Sequence, residues 1–434
     1  MSIAGAQTVV MKFGGTSVAD AERIKNAARR IVQRAEEGGR VVAVLSARGK
    51  HTDELIAAAH EVSPRPHPRE MDMLLSTGER VSCALAAMAI NDLGHEAISL
   101  TGSQAGIVTD TSHTKARILE VKAHRVHAAL DEGRIVLVAG FQGVSHDSLD
   151  VTTLGRGGSD TTAVALAGAL GAEVCEIFTD VAGVFSADPR LVPTARKLPV
   201  VTFEEMLEMS ASGAGVLQLR SVEYARNYGI TIHCRSSFDD GPGTVVQDEE
   251  QTMERPLVTA VTHSTSEARI TLTGLPDRPG VAGRVLSALA EAGVNVDMII
   301  QNEPLSEGHL ADMSVTVPRD DLVVAGEALS AIKGELGFGE VLSDDRMGKV
   351  SLVGAGMKSH PGVAATALTV LGEAGVNIEM ISTSPIKISC VVREKDVETA
   401  VRQLHTAFDL GREAVLPEDV AGVHRPKVRE EAAS

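Results

Sequence analysis

The chain has 434 residues, a formal net charge of −17, no Trp, two Tyr and eight Phe. That length exceeds what one hydrophobic core supports, so two or three domains are expected. The negative charge and the scarcity of aromatic rings argue against nucleic-acid binding, because a polyanion would be repelled and few side chains could stack on bases. No signal segment opens the chain and no run of eighteen apolar residues occurs in it, which predicts a cytoplasmic protein without membrane contact.

The cysteines and histidines give no sign of a disulfide or metal framework. The four cysteines are far apart and form no CxxC pair, so reduced thiols packed in the interior are expected. The histidines show neither an HExxH motif nor a Cys/His ligand spacing, and the sequence therefore predicts no protein-bound metal.

Strand-like and helix-like segments alternate through the first half of the chain. Thr8–Phe13 and Val41–Leu45 have the pattern of buried strands, and Asp20–Glu37 has helical periodicity with Asp20 as its N-cap. The alternation predicts an α/β domain with a largely parallel sheet. The further predicted elements are a long helix near Glu70–Asp92, strands at Ala97–Leu100, Ile135–Ala139 and Val174–Thr179, and a helix from Ser159 to Ala169.

An internal repeat follows a polar, Gly- and Pro-containing stretch. RPGVA from Arg278 corresponds to HPGVA from His360, and EAGVN from Glu291 recurs from Glu373 with the same offset. One supersecondary unit used twice predicts a tandem domain pair. The predicted division is an α/β domain at residues 1–247, a linker at 248–263, repeats at 264–345 and 346–420, and a tail at 421–434.

Three glycine-containing segments carry the candidate chemistry. KFGGTS, beginning at Lys12, lies at the end of the first strand and offers backbone amides and a positive charge to an oxyanion. It is neither a Walker A loop nor a GxGxxG fingerprint, and by itself it is more often an ordinary strand-to-helix turn. TLGRGGSD, beginning at Thr153, places Arg156 among glycines and opens a helix that Ser159 or Asp160 could cap. Residues 179–190 follow another strand, at the edge where open α/β sheets bind ligands.

These motifs occur along the chain in the same order as in one known protein family. KFGGTSVAD, STGER around Glu79, TLGRGGSDTT, FTDVAGVFSADPR and the duplicated domains together make the chain similar to the aspartate kinases over nearly its whole length. The resemblance implies an amino-acid kinase fold at 1–247 and ferredoxin-like βαββαβ ACT domains in the repeats. It also implies transfer of the γ-phosphoryl group of ATP to the β-carboxylate of L-aspartate, giving 4-phospho-L-aspartate, the first step of lysine, threonine and methionine biosynthesis.

The resemblance assigns roles to the matching positions. Lys12, Arg156 and Asp160 would be catalytic, with Lys12 and the amides of Gly14 and Gly15 holding the transferring phosphoryl group. Thr52, Glu79, Arg156 and Asp160 would frame the substrate aspartate. Taken singly, Glu79 could be a surface charge pair with Arg80, and Thr52 an ordinary helix N-cap. The nucleotide, with Mg²⁺ carried on its phosphates, would contact Lys12, Gly14, Gly15, Thr16, Ser17, Thr179, Asp180, Phe185, Asp188 and Arg190.

Some positions depart from the family pattern. Gly215 stands where the family usually has a lysine near the nucleotide phosphates, although Arg190 or Arg220 could compensate. Phe185 replaces a tyrosine and keeps its stacking face. Two alternatives remain open: a relative acting on another carboxylate, carbamate or nucleotide, and an amino-acid sensor with an impaired kinase site. A decayed site should also have lost Lys12, Arg156 and Asp160, so an active enzyme is favoured.

The repeats imply effectors and partners. Threonine is the expected effector and lysine a candidate second one; Pro385 removes a backbone N–H, from which we expect lysine sensing to be weakened. A homo-oligomer formed through the ACT domains is expected, and a shorter regulatory chain beginning near Met253 is a candidate partner. The implied effector contacts are Asp277, Arg278, Gly280, Val281, Ala282, Asn295 and Gln301 in the first repeat, and His360, Gly362, Val363, Asn377, Ser382 and Thr383 in the second.

Overall fold

A computed structural model describes residues 7–248, 257–302 and 310–411. The candidate second start, Met253, lies outside these ranges. The strands of the first domain are β1 (Thr8–Phe13), β2 (Arg40–Leu45), β3 (Ala97–Leu100), β4 (Ile107–Thr109), β5 (Ile118–Val121), β6 (Ile135–Ala139), β7 (Gln142–Ser145), β8 (Val151–Thr153), β9 (Val174–Thr179), β10 (Val200–Thr202), β11 (Thr231–Ser236) and β12 (Thr244–Gln247). Its helices are α1 (Ala21–Glu36), α2 (His51–Val62), α3 (Pro68–Leu75), α4 (Thr77–Asp92), α5 (His124–Asp131), α6 (Gly158–Ala169), α7 (Phe203–Ala211) and α8 (Leu219–Tyr228).

An eight-stranded sheet in the order β10-β12-β11-β9-β1-β2-β6-β3 forms the centre of this domain. Every pairing in it is parallel except β11 with β12. Its central strands are buried because helices cover both faces, and two separate apolar clusters pack on those faces. The prediction of an α/β fold with a largely parallel sheet is confirmed.

The predicted helices and strands match the observed ones closely, with one difference. The side chain of Asp20 accepts a hydrogen bond from the Arg23 amide at 2.9 Å, so the predicted N-cap of α1 is confirmed. The single helix predicted near Glu70–Asp92 is instead two helices, α3 and α4, that meet at Ser76. Among the described residues this run, Pro68–Asp92, is long and apolar enough to span a membrane, but half of its most apolar window is buried inside the protein, as in a core helix.

A smaller sheet in the order β5-β4-β7-β8 lies beside the main one. Its last strand, β8, ends at Thr153 and leads directly into the glycine segment that precedes α6. This sheet therefore sets the point from which the Arg156 loop departs.

The repeats share one six-stranded sheet in the order β14-β15-β13-β16-β18-β17. Its strands are β13 (Ala260–Pro276), β14 (Ile299–Gln301), β15 (Leu310–Pro318), β16 (Val341–Val353), β17 (Ile378–Ser384) and β18 (Lys387–Arg393), and the helices are α9 (Val281–Glu291), α10 (Leu322–Ala331), α11 (Lys333–Leu336), α12 (Val363–Glu373) and α13 (Val397–Ala407). Each repeat has its own apolar core.

The two repeats are interleaved rather than strictly sequential. The beginning of β13 pairs with the end of β16 in the second repeat, and the rest of β13 lies between β15 of the first repeat and the beginning of β16. The predicted linker, 248–263, thus ends inside a strand, and the division between 345 and 346 falls within β16. A polar cluster interrupts each strand, HSTSE from His263 in β13 and SDD from Ser343 in β16, and such clusters are typical of loops, which is why the sequence pattern did not reveal their continuity.

Candidate active site

The three glycine-containing segments converge at the carboxyl ends of the parallel strands. Lys12 lies one residue before the end of β1, between Val44 of β2 and Ile177 of β9. The Gly14 amide donates to the carbonyl of Phe178 at 3.1 Å, so the turns after β1 and β9 lie side by side. This edge is where ligands bind in open α/β sheets.

A buried ion pair forms part of this edge. Lys12 Nζ lies 2.5 Å from Asp160 Oδ1, and the two residues are 9% and 5% exposed. Buried charges persist in proteins when they are paired. A Cβ built on Gly14 would lie 3.5 Å from Lys12 Nζ, so the lysine ammonium is next to the Gly14 backbone. The fold therefore brings the predicted catalytic residues Lys12 and Asp160 together. The contact that Asp160 makes is with the lysine ammonium itself.

The Gly14–Gly15 turn is tightly constrained on one side. A Cβ on Gly15 would lie only 2.8 Å from the carbonyl oxygen of Ala47, and the Gly49 amide donates to the Gly15 carbonyl at 2.9 Å. Glycine is needed here because the backbone packs directly on the loop after β2. Thr16 is exposed, while the hydroxyl of Ser17 is 2.6 Å from that of Ser237. The turn has the backbone access that a phosphate group requires.

The second glycine segment depends on two left-handed residues. Gly155 and Gly157 have φ values of 78° and 72°, and Gly157 is the N-cap of α6. A Cβ on Gly157 would lie 1.7 Å from Cγ of Gln218, so no other residue fits without a backbone shift. The expectation that Ser159 or Asp160 caps the helix is wrong, because both lie within its first turn, beyond the glycine that occupies the cap.

Arg156, between these glycines, is exposed and makes no hydrogen bond or ion pair within the described part of the chain. Its neighbours on both sides are fixed by packing, whereas its guanidinium is available. An arginine in this state is suited to binding a carboxylate through two parallel hydrogen bonds.

Glu79, in the first turn of α4, is only 3% exposed, so its interpretation as a surface pair with Arg80 is wrong. Its Oε1 accepts from the Ala47 amide at 3.1 Å, while its Oε2 is buried with no partner among the described residues. Removal from water raises the pKa of this carboxyl to about 7. A buried oxygen without a partner, beside the loop after β2, is well suited to an ammonium group of a ligand.

This raised pKa predicts a pH dependence of substrate capture. Because burial disfavours the ionised form, Glu79 is largely protonated below about pH 7 and ionised above it. If the carboxylate binds the substrate ammonium, kcat/KM for aspartate at saturating MgATP should rise as pH increases through about 7. Glu79→Gln should lower kcat/KM and remove that inflection. An unchanged inflection in the glutamine variant would assign it to another group.

Thr52 is half-buried at the second position of α2, and the cap of that helix is Lys50. The N-cap alternative for Thr52 is therefore wrong. Its helix follows directly on the loop that contacts Gly15 and Glu79, so the residue lies next to the site.

The segment after β9, residues 179–190, is held by contacts within itself and by contacts with the second repeat. Asp188 binds the guanidinium of Arg190 with two oxygens, and this pairing holds the pKa of Asp188 below its usual range. The Thr179 hydroxyl donates to Asp180 at 3.2 Å, and the ring of Phe185 is half-buried. Ala187 packs in the apolar core of the second repeat.

Ser186 joins this segment to the last helix of the second repeat. Its hydroxyl lies 3.0 Å from Nε2 of His405 and donates to the carbonyl of Leu410 at 3.1 Å. Its carbonyl accepts from the Val261 amide at 2.8 Å. Phe185 and Asp188, on either side of Ser186, are predicted nucleotide contacts. Ser186 itself contacts the second repeat.

Gly215 is exposed, and a Cβ built on it meets no atom within 4 Å. A lysine would fit there without strain. The two arginines that could compensate for its absence have other partners: Arg190 pairs with Asp188, and Arg220 donates to the carbonyls of Leu154 and Ala116.

Asp72 lies outside the sequence motifs, and its carboxylate is fully buried beneath the Arg156 loop. A weak signal was present in the sequence. Asp72 and Glu79 are seven residues apart in one helical run, so both fall on the same face, which they share with Leu75 and Cys83 but also with two serines.

The implied effector positions fall at corresponding places in the two repeats. Gly280 and Gly362 both have positive φ, 92° and 105°, and cap α9 and α12. Val281 and Val363 are buried in the two repeat cores, so their side chains serve packing. Exposed positions are Asp277, Arg278, Asn295, Gln301, His360, Asn377 and Thr383, and partly exposed ones are Ala282 and Ser382.

Pro385 lies in the two-residue turn between β17 and β18, where Ser384 pairs with Lys387. Its missing N–H therefore interrupts no ladder hydrogen bond, and its fixed φ suits the first central position of a turn.

Comparison with known families agrees with this geometry. Residues 7–236 match the amino acid kinase family, and residues 269–334 and 350–408 each match an ACT domain. The first match covers more than half of the chain and contains Lys12, Glu79, Arg156 and Asp160. The fold and the site thus define an amino acid kinase, and the ACT pair indicates allosteric regulation.

Full-length relatives narrow the class. The aspartokinase of Mycolicibacterium smegmatis is 58% identical over 405 residues, which is 93% of this chain and 96% of that protein. The aspartokinase of Corynebacterium glutamicum is 53% identical over 407 residues, 93% of this chain and 97% of that protein. The chain belongs to the aspartokinase family, whose members are ATP-using kinases.

Solved structures show the same arrangement. E. coli aspartokinase III in complex with aspartate and ADP, in the R-state, has a TM-score of 0.81 at 26% identity, covering 92% of this chain and 99% of that one. The same enzyme with lysine and aspartate, in the T-state, has a TM-score of 0.70 at the same coverage. The chain is therefore more similar in overall arrangement to the R-state structure.

Proposed function

We propose that the chain transfers the γ-phosphoryl group of ATP to the β-carboxylate of L-aspartate, giving 4-phospho-L-aspartate and opening lysine, threonine and methionine biosynthesis. The observation that carries this proposal is the buried Lys12–Asp160 pair beside the Gly14–Gly15 backbone. Two groups suited to an amino acid lie on the adjoining segments: exposed Arg156 in the loop before α6, and the Glu79 oxygen that has no partner among the described residues, next to the Ala47 loop that Gly15 also contacts. That the related E. coli enzyme was solved with aspartate and ADP supports it.

Phosphoryl transfer asks this site for positioning and charge neutralisation. One oxygen of the β-carboxylate forms the new bond to the γ-phosphorus while the bond to the ADP oxygen breaks. The attacking carboxylate is already ionised, so no general base is required. Lys12 would neutralise the charge on the transferring group, and the amide of Gly15 would donate to its oxygens. The Gly14 amide is already bonded to the Phe178 carbonyl, so Gly14 would contribute close backbone approach rather than this donor.

Substrate aspartate would be held by its other two charged groups. Arg156 would bind the α-carboxylate, and Glu79 the ammonium through its unpartnered oxygen. Asp160 would contribute to the same framing and would hold Lys12, with Thr52 at the margin. This arrangement leaves the β-carboxylate as the one group directed to the phosphate.

The nucleotide would lie along the turns after β1 and β9. Thr16, Ser17, Thr179, Asp180, Phe185, Asp188 and Arg190 would shape its pocket. Mg²⁺ would neutralise phosphate charge and would be carried mainly on the phosphate oxygens.

The ACT pair would bind threonine, with lysine as the weaker effector, and would pair with a second chain to form a homo-oligomer. We also propose that a shorter regulatory chain beginning near Met253 assembles with the full-length chain, and that the protein is cytoplasmic. The position of Pro385 in a turn means that its effect on lysine binding would act through the shape and donors of the turn rather than through a broken strand pairing.

The deciding experiment is aspartate-dependent ATP turnover with hydroxylamine trapping of the acyl phosphate. It is run without effectors, with threonine, with lysine and with both. We expect aspartyl hydroxamate, inhibition by threonine and little further effect of lysine. Concerted inhibition by lysine with threonine would contradict the Pro385 prediction. Absence of hydroxamate, with amino acids still bound, would favour a sensor whose kinase site is impaired by Gly215, an alternative that the intact Lys12–Asp160 pair does not favour.

A further inference from the structure

Asp72 of α3 is fully buried, and both of its carboxylate oxygens are hydrogen-bonded. Oδ1 accepts from the Thr153 hydroxyl at 2.5 Å, and Oδ2 lies 2.6 Å from Nδ1 of His113. The Thr114 amide donates to both oxygens at 3.1 Å. A buried carboxylate is tolerated when donors surround it in this way.

These partners belong to the structure immediately beneath the Arg156 loop. Thr153 is the last residue of β8 and lies two positions before Gly155. Thr114 has a positive φ of 65°, unusual for a β-branched residue, and its carbonyl would lie 3.2 Å from a Cβ on Gly155. The carboxylate thus fixes both the end of the strand from which the loop departs and the strained residue on which the loop rests.

Asp72 is also connected to the helix that carries Glu79. The Ser76 amide donates to the Asp72 carbonyl at 3.0 Å, and α4 begins at the next residue. The Ser76 carbonyl in turn accepts from the side-chain amide of Gln142 at 2.8 Å. The same residue therefore lies between the two groups expected to hold the amino acid, Arg156 on one side and Glu79 on the other.

We propose that Asp72 is a positioning residue for the amino-acid substrate: it fixes the Arg156 loop relative to the start of α4 and so sets the affinity for aspartate. This inference rests on the proposed function. The interpretation to be distinguished from it is a carboxylate that only stabilises the fold.

The test compares Asp72→Asn with Asp150→Asn. The first change keeps shape but puts a donor where the His113 nitrogen or the Thr153 and Thr114 donors point, so at least one contact is lost. Asp150 is the matched control because it ties the same helix to the same strand, through Arg69 at 2.8 Å, at the end of the strand away from the glycine loop.

We expect Asp72→Asn to raise KM for aspartate about tenfold or more, since small displacements of a binding group are costly. KM for ATP should change less than about twofold, because the side-chain hydrogen bonds of Asp72 within the described residues go to His113, Thr114 and Thr153 and not to the predicted nucleotide segments. Amide hydrogen exchange should become faster in peptides covering residues 153–160. Asp150→Asn should leave both KM values and this exchange unchanged.

A fall in melting temperature with unchanged KM for aspartate and unchanged exchange at 153–160 would overturn the proposal. If Asp72→Asn does not fold, Thr153→Val is the second variant, because it keeps the carboxylate and removes one donor. A smaller rise in KM for aspartate is then expected. If the wild-type chain makes no aspartyl hydroxamate, the proposed function fails, and the exchange comparison still decides whether Asp72 fixes the loop.

Discussion

Replacing Lys12 with methionine should lower kcat for aspartyl phosphate formation about a thousandfold or more, the usual effect of removing a charge that stabilises a transferring phosphoryl group. Lys12 is a buried cation at the Gly14 turn, and its ammonium pairs with the Asp160 carboxylate at 2.5 Å. KM for aspartate should change less than kcat, because the lysine would act on the phosphoryl group. The measurement is hydroxamate formation at saturating substrates.

Stability has to be separated from catalysis in this variant. Removing the lysine leaves Asp160 buried without its partner, which typically costs about 3–5 kcal/mol. The double variant Lys12→Met with Asp160→Asn removes the unpaired charge and should recover much of the stability without recovering activity. Lys25→Met, at an exposed lysine paired with Glu22 on α1, is the control for loss of a lysine elsewhere. If the folded Lys12→Met protein keeps its kcat within about tenfold, the assigned role of Lys12 is wrong.

Replacing Arg156 with glutamine should raise KM for aspartate about a hundredfold, the upper range for loss of a charged, two-pronged hydrogen bond. The melting temperature should stay unchanged, because Arg156 is exposed and has no partner within the described residues. Arg156→Lys is the matched variant: it keeps the charge but loses the planar fork, so an intermediate KM is expected.

A substrate analogue makes this test specific. β-Alanine is aspartate without its α-carboxylate, so it lacks the group that Arg156 would bind. The wild-type enzyme should discriminate strongly against it as a phosphoryl acceptor, and Arg156→Gln should lose most of that discrimination. Equal discrimination by both proteins would mean that Arg156 does not contact the α-carboxylate.

The sequence by itself determined the local elements and the family. Strands such as β1 and β9 could be placed to the residue because short runs rich in β-branched and apolar residues, followed by glycine or polar residues, are typical of buried strands. The glycine segments could be located because backbone access and positive φ leave a direct mark on composition. Five motifs in one order then identified an aspartokinase-like chain.

Tertiary structure decided what depends on contacts between distant segments. The residues that neighbour Lys12 in the sequence do not reveal Asp160 as its partner, because the strand order and the start of α6 bring the two together only in the folded chain. The same holds for burial: Glu79 and Asp72 are ordinary acidic residues in sequence, and only packing against the Ala47 loop and β8 gives one an unpartnered oxygen and the other four donor contacts. Pattern is local, whereas pairing and desolvation are set by the whole fold.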